Sequence, residues 1–211
     1  MIDRPVPDPL VPDRLAPQPD PLADAAPAPL ALAVRALAFA TLRHTDQRRK
    51  GRRAEPYVNH LAEVALLVSE ATGGADAELV AAALLHDVVE DQGVALAEIA
   101  ATFGADVAHL VAEVTDDKAL APEERKRLQV VHAPHLSARG KLLKLADKVA
   151  NLRSLAEDPP VDWEAARAVA YVAWAREVAA GLTGVSAALD AAFDAAATAA
   201  LEAIAAQPAP V

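Results

Sequence analysis

The sequence contains no cysteine, which excludes disulfides, thiolate metal sites and cysteine nucleophiles together. Aromatic residues make up only 3% of the 211 residues and there are eight glycines, a poverty that argues against a sheet-rich domain. No apolar run is long and uninterrupted enough to span a bilayer. The N-terminus, with Asp3 and Arg4 followed by prolines and aspartates, lacks the basic-then-apolar order of a signal peptide, so a cytoplasmic protein is expected. Positive charge is also short, with 20 Lys and Arg against 30 Asp and Glu and a formal net charge of −10. That balance excludes a broad nucleic-acid surface, and any phosphate-bearing partner has to be small and met by a local basic cluster.

What is present is alanine and leucine in quantity, within a hydrophobic fraction of 54%, and this favours helices. The length suits one domain with a real core. Residues 1–29 hold nine of the 16 prolines and read as a disordered arm; residues 30–205 read as the domain and 206–211 as a flexible tail. A helix over 30–43, carrying Leu32, Val34, Leu37, Phe39 and Leu42, is expected to bury much of its circumference. Pro56 to His60 open a second helix that Gly73-Gly74 stop, and Asp76 caps a third that ends at Gln92-Gly93. Two short amphipathic helices split at Gly104, Pro122 starts a charged helix to about His132, and Ser137 caps a long one over 138–155. Asp162 is expected to cap a helix reaching Gly181, and Gly184 separates the last. The expectation is a compact all-α bundle of nine or ten helices without a strand.

One stretch is out of keeping with a buried helix. His86-Asp87-Val88-Val89-Glu90-Asp91 follows an apolar run over 79–85 and packs four ionisable side chains into six residues. On a continuous helix His86 lies above Glu90 and Asp87 above Asp91. A lone His-Asp pair in a chain this acidic carries almost no weight, so the rest of the chain must supply further ligands. Lys144 to Arg153 is the second informative segment. There Leu142, Leu145, Val149 and Leu152 form a helical stripe, Asp147 sits at its edge, and Asn151 follows one turn on. Asp147 could equally pair with Lys144 or Lys148. His132 and His135 have no partner at ligand spacing and read as structural or exposed. The segment Gln47 to Arg53 places five cations in seven residues, either a solvated loop or a place where phosphates and a base are held. Taken together, His60, His86, Asp87 and Asp147 offer two imidazoles and two carboxylates from three helices. That set suits a first-row divalent ion, Mn²⁺ favoured by the hard oxygens, with zinc or another first-row ion fitting the same donor types.

Pro56-Tyr57-Val58-Asn59-His60, His86 to Asp91, and Lys144-Leu145-Ala146-Asp147-Lys148 with Asn151-Leu152 resemble, in order and spacing, the HD-domain hydrolase half of RelA/SpoT alarmone enzymes, most closely the stand-alone small alarmone hydrolases. Phe103-Gly104, Val114 to Lys118 and Arg125 to Gln129 share the resemblance, which spans roughly residues 30–190. It implies a Mn²⁺-dependent pyrophosphohydrolase that removes the 3′-pyrophosphate of ppGpp or pppGpp. By position, His60, His86, Asp87 and Asp147 match the metal ligands, and Glu90 and Asp91 match the acidic pair that handles the attacking water. Arg49 and Lys50 match the basic pair beside the guanine and its phosphates, and Asn151 and Tyr171 match nucleoside contacts. Lys141, Lys144 and Arg127 are candidates to offset charge on the outer phosphates. Two acids as close as Glu90 and Asp91 are expected to push one pKa up. Leu61 stands where the family often has proline, Gln92 where threonine is common, and Arg52 and Arg53 add to the basic loop. A hydrolase without a synthetase half is expected, with a small nucleotide as partner, neither nucleic acid nor membrane, and the oligomeric state open. Two alternatives remain: a hydrolase of the same fold acting on an adenine alarmone or NADPH, and a non-catalytic HD module that binds a nucleotide intact.

Overall fold

The computed structural model describes residues 28–206; the expectations for the proline-rich arm and the C-terminal tail lie outside the described residues except at residues 28, 29 and 206, and Pro29 already opens the first helix instead of ending the arm. Among these, ten α-helices and one 3₁₀ turn account for the architecture, and no strand occurs beyond an isolated bridge between Arg48 and Pro56. In chain order the helices are α1 (Pro29–Arg43), α2 (Val58–Ala71), α3 (Ala77–Leu85), α4 (Val88–Gln92), α5 (Leu96–Phe103), α6 (Ala105–Val114), α7 (Pro122–His132), α8 (Ala138–Glu157), α9 (Ala165–Ala180) and α10 (Ala187–Ala205). The 3₁₀ turn Ala133–His135 joins α7 to α8. No described helix is long and apolar enough to cross a membrane.

The boundaries have local causes. Asp76 accepts a hydrogen bond from Leu79 N at 3.0 Å, and Ser137 Oγ one from Gly140 N at 3.0 Å, so α3 and α8 begin on side-chain caps. Gly104 lies at φ 97°, a conformation that lets α5 end and α6 begin without a linker. Asp162, by contrast, does not cap α9: the helix begins after Glu164 with no side-chain cap, and Asp162 faces Arg167 at 3.9 Å on the surface.

The core lies where α2, α3, α8 and α10 meet. In α3 every residue from Ala81 to Leu85 is buried, because alanines let neighbouring helices approach on all sides while Leu79, Leu84 and Leu85 fill the gaps. Each fully buried leucine contributes about 1.5–3 kcal/mol relative to exposure. In α8, Leu145, Val149 and Leu152 are fully buried as the stripe predicts, whereas Leu142 is only partly so. Helix α1 departs from expectation. It packs one face, Leu32, Ala36 and Ala40, against α3, and leaves Val34, Leu37 and Leu42 exposed. A helix at the margin of a bundle needs one narrow face, and the two alanines supply it by permitting close approach.

Candidate metal centre and nucleotide cleft

His86-Asp87 does not continue α3. The chain turns there, and α4 starts afresh at Val88. Asp87 is the residue before α4, and its carbonyl accepts from Asp91 N at 2.8 Å, so the two stay one turn apart as expected, while the turn presents the Asp87 carboxylate to the imidazoles. Asp87 Oδ2 lies 3.1 Å from His86 Nε2 and 3.7 Å from His60 Nε2. Asp147 Oδ1, from the middle of α8, lies 3.3 Å from His60 Nε2 and 3.7 Å from His86 Nε2. Donor atoms of His60, His86 and Asp147 all fall within 4.8 Å of one another, and all three residues are buried. The four side chains proposed as ligands thus converge from α2, the 86–87 turn and α8.

Neighbours hold these donors in place. His86 Nδ1 is 2.8 Å from Ala83 O, which directs Nε2 at the cluster. Tyr57 OH donates to Asp87 Oδ2 at 2.7 Å, and Asn151 Nδ2 to Asp147 Oδ1 at 2.6 Å. His44 was not flagged by any motif, yet it is buried and stacks on Tyr57 with ring centroids 5.1 Å apart, bracing that phenol. Burial depresses the His60 pKa against the pull of Asp147. Burial acts the same way on His86, but the Asp87 and Asp147 carboxylates outweigh it and push that imidazole up to about 10. Asp87 resists its own burial because the neighbouring His86 charge, 3.1 Å away, holds its carboxyl well below the usual carboxylate range. In the bare protein a proton on His86 thus supplies positive charge to the cluster.

The donor set fits a divalent cation. Among the described residues, His60 Nε2 and His86 Nε2 are buried and have no hydrogen-bond partner, a state that costs about 1–3 kcal/mol for each polar group left unsatisfied. A cation between two imidazoles and two carboxylates satisfies both nitrogens and replaces the proton on His86.

Beside this cluster runs a cleft of two lobes. The first, about 330 Å³, is lined by Gln47 to Gly51, Asp91, Ser154, Leu155, Asp158 and Pro160. The second, about 290 Å³, is lined by Asp87, Glu90, Asp116, Pro122, Arg125, Lys126, Gln129, Lys144, Asp147, Lys148, Arg167 and Trp174. Tyr57, Asn151, Trp163 and Tyr171 border both. The chain has two tryptophans and two tyrosines, and all four line this cleft. Trp163, Tyr171 and Trp174 follow one another with centroids 5.3 Å apart at each step.

Placement of the sequence candidates divides here. Arg49 and Lys50 line the first lobe, and Arg49 Nη2 donates to Asn151 Oδ1 at 3.0 Å. The loop carrying them is latched by Asp158, whose carboxylate accepts from Arg52 N and Arg53 N at 3.0 Å each. Arg52 and Arg53 thereby act through their backbone, and the Arg53 guanidinium is occupied by Glu55 and Asp158. Lys144 lines the second lobe and donates to Val114 O at 3.0 Å. Lys141 and Arg127 line neither lobe. Arg127 points outward and forks onto Glu124 of its own helix. Arg125 and Lys126, two residues and one residue earlier, face the lobe instead, joined by Lys148 and Arg167. The sequence offered one overlooked signal for this wall, the concentration of scarce tryptophan near cations.

Glu90 and Asp91 separate rather than pair. Asp91 turns to the first lobe, where Gln47 Nε2 and Lys118 Nζ donate to it at 2.8 and 2.6 Å. Glu90 turns to the second, 3.3 Å from Arg125 Nη1 and accepting from Asp116 N at 3.4 Å. Its carboxyl is pushed up, first by burial and then by the charges of Asp116 and Asp87, against the opposing charge of Lys144. The crowding predicted between Glu90 and Asp91 is therefore crowding with Asp116 and Asp87. His132 and His135 are exposed, as expected.

An HD-domain family model matches residues 36–176. The chain is 47% identical over 164 residues to the guanosine-3′,5′-bis(diphosphate) 3′-pyrophosphohydrolase MESH1 of Xenopus tropicalis, an alignment covering 78% of this chain and 92% of that protein. It is 48% identical over 148 residues to human MESH1, covering 70% and 83%. Among solved structures, one described as a metazoan ortholog of SpoT that hydrolyses ppGpp superposes with a TM-score of 0.76 at 43% identity, covering 79% of this chain and 93% of the other. A Listeria monocytogenes protein superposes with a TM-score of 0.56 at 29% identity, covering 68% and 99%. The chain belongs to the HD-domain family, on its MESH1-type, SpoT-like branch.

Proposed function

We propose that this protein hydrolyses the 3′-pyrophosphate of guanosine alarmones, converting ppGpp or pppGpp and water to GDP or GTP and pyrophosphate, with Mn²⁺ held by His60, His86, Asp87 and Asp147. The observation that carries the reading is the adjacency of a buried two-histidine, two-carboxylate cluster to a cleft with cations at both ends and aromatic rings between them. A nucleotide with phosphates on both sides of its ribose matches that charge distribution. The MESH1 relatives are named for this reaction.

A bound divalent ion supplies Lewis acidity toward a phosphoryl oxygen and lowers the pKa of water. The chain's own groups do the rest. Arg49 and Lys50 hold one phosphate end, with the Arg49 plane available to stack on a base; Asn151 and Tyr171 border the nucleoside between the lobes. Lys144, with Arg125 and Lys126, offsets charge at the other end. Glu90, its carboxyl pushed up by burial and by Asp116, takes the proton of the attacking water. The bond from phosphorus to the ribose 3′-oxygen breaks, hydroxyl going to the pyrophosphate and the proton to that oxygen. Asp91 fixes Gln47 and so the entry of the Arg49–Lys50 loop.

Purified protein incubated with Mn²⁺ and ppGpp is expected to yield GDP and pyrophosphate on anion-exchange chromatography, faster than it releases phosphate or pyrophosphate from an adenine alarmone or NADPH. Faster turnover of one of those refutes the guanosine preference, and ppGpp recovered intact and bound favours the non-catalytic module.

A further inference from the structure

Lys148 is the next residue along α8 from Asp147, and it is only 3% exposed. A buried ammonium has to be paired to be tolerated, and the proposed mechanism gives this one no task. Its nitrogen lies 3.3 Å from Asp147 Oδ2 and 4.6 Å from the Trp174 ring. The ring is itself fixed, since Trp174 Nε1 donates to Lys126 O at 3.1 Å. The two oxygens of Asp147 therefore have separate partners. Oδ1 faces both imidazoles and Asn151, while Oδ2 faces Lys148.

We propose that Lys148, seated on Trp174, is a positioning residue that occupies Asp147 Oδ2 and so restricts Asp147 to offering one oxygen to the metal. The inference rests on the metal reading above. A carboxylate can give a divalent ion one oxygen or two, and a hydrolytic centre works only while some coordination positions stay open to water and substrate. An ammonium delivers a point charge to one oxygen, and its cation–π contact with the ring holds it there without a second carboxylate that would neutralise it.

The test compares Lys148→Met with wild type in two measurements: Mn²⁺ titration of the metal-stripped protein without nucleotide, and kcat and KM for ppGpp at saturating Mn²⁺. Freed of Lys148, Asp147 Oδ2 becomes available to the ion, so the variant is expected to bind Mn²⁺ at least fivefold more tightly. Its kcat falls at least tenfold while KM stays within threefold. Lys148→Arg, which keeps a cation on the ring, stays within threefold of wild type in Mn²⁺ affinity. Weaker Mn²⁺ binding with a lower melting temperature overturns the proposal in favour of simple packing. An unchanged Kd with a raised KM overturns it in favour of a phosphate contact, and an unchanged kcat overturns it outright. If Lys148→Met does not fold, Trp174→Leu, which removes the seat and keeps the lysine, must tighten Mn²⁺ binding about twofold, and no change refutes the proposal. A wild type that binds Mn²⁺ but leaves ppGpp intact refutes the substrate reading alone, because the Kd comparison still decides the role of Lys148.

Discussion

Replacing Gly51 with alanine separates the nucleotide loop from the metal donors. A Cβ at this position would lie 2.5 Å from the backbone oxygen of Asp158 and closer still to its carboxylate, whereas ordinary contact begins at 3.4 Å. The side chain of Asp158 can rotate away, but its backbone sits at the end of α8 and cannot. The loop must therefore retreat by about 0.9 Å, the difference between the two distances, with overpacking costing about 1–3 kcal/mol. Retreat stretches the bonds from Arg52 N and Arg53 N to Asp158 and from Val161 N to Lys50 O, which measures 3.2 Å, and it carries Arg49 and Lys50 with it. A misplacement near 1 Å costs on the order of 100-fold in rate, about 2.7 kcal/mol. The assay is kcat/KM for ppGpp beside Mn²⁺ affinity. The expected result is a loss of about 100-fold in kcat/KM with Mn²⁺ binding unchanged, because His60, His86, Asp87 and Asp147 lie on other elements. A folded Gly51→Ala protein with kcat/KM within threefold of wild type refutes the reasoning, as does loss of Mn²⁺ binding in step with activity.

Three further outcomes follow from the site. Arg125→Ala is expected to lower kcat/KM by roughly tenfold, the scale of one charge-assisted hydrogen bond, whereas Arg127→Ala leaves it unchanged because that guanidinium forks onto Glu124 and lines neither lobe; equal effects in steady-state kinetics contradict the assignment. Glu90 must be ionised to accept a proton and its pKa lies above the ordinary glutamate value, so kcat falls as pH drops through that raised pKa. An acid limb that remains in Glu90→Gln assigns the limb to another group. In metal-free protein the His86 pKa stands at about 10, above the unfolded imidazole value. The stability it contributes is complete below about pH 6.5 and is lost as pH rises toward 10. Denaturation midpoints in chelator are therefore expected to decline between pH 7 and 9.5, and more shallowly in His86→Gln; parallel declines exclude His86 as the source.

How much of this was legible depends on the kind of signal each element left. Gly104, Asp76, Ser137 and Pro122 act through backbone conformation and capping, which are local, and the helix ends they imply appear where expected. The break at His86-Asp87 leaves no such mark, because neither residue is a helix breaker and the apolar run before them continues the helical pattern. The turn is held instead by contacts distant in sequence, Tyr57 to Asp87 among them. The burial of α1 was overestimated because apolar side chains on a marginal helix need not find a partner. Arg125 and Arg127 are indistinguishable in composition, and a difference of two residues, about 200° around a helix, decides which one faces the cleft. Lys148 was visible only as a partner for Asp147. That it is buried, and that it sits on a tryptophan 26 positions later in the chain, follows from how α8 and α9 pack.

The most direct test of the central claim is ppGpp hydrolysis by metal-stripped protein as Mn²⁺ is added back, with Asp87→Ala in parallel. No turnover is expected without metal, recovery is expected to follow Mn²⁺ occupancy in wild type, and the variant is expected not to recover at the same concentrations. Undiminished hydrolysis in chelator, or full recovery in Asp87→Ala, would contradict the claim.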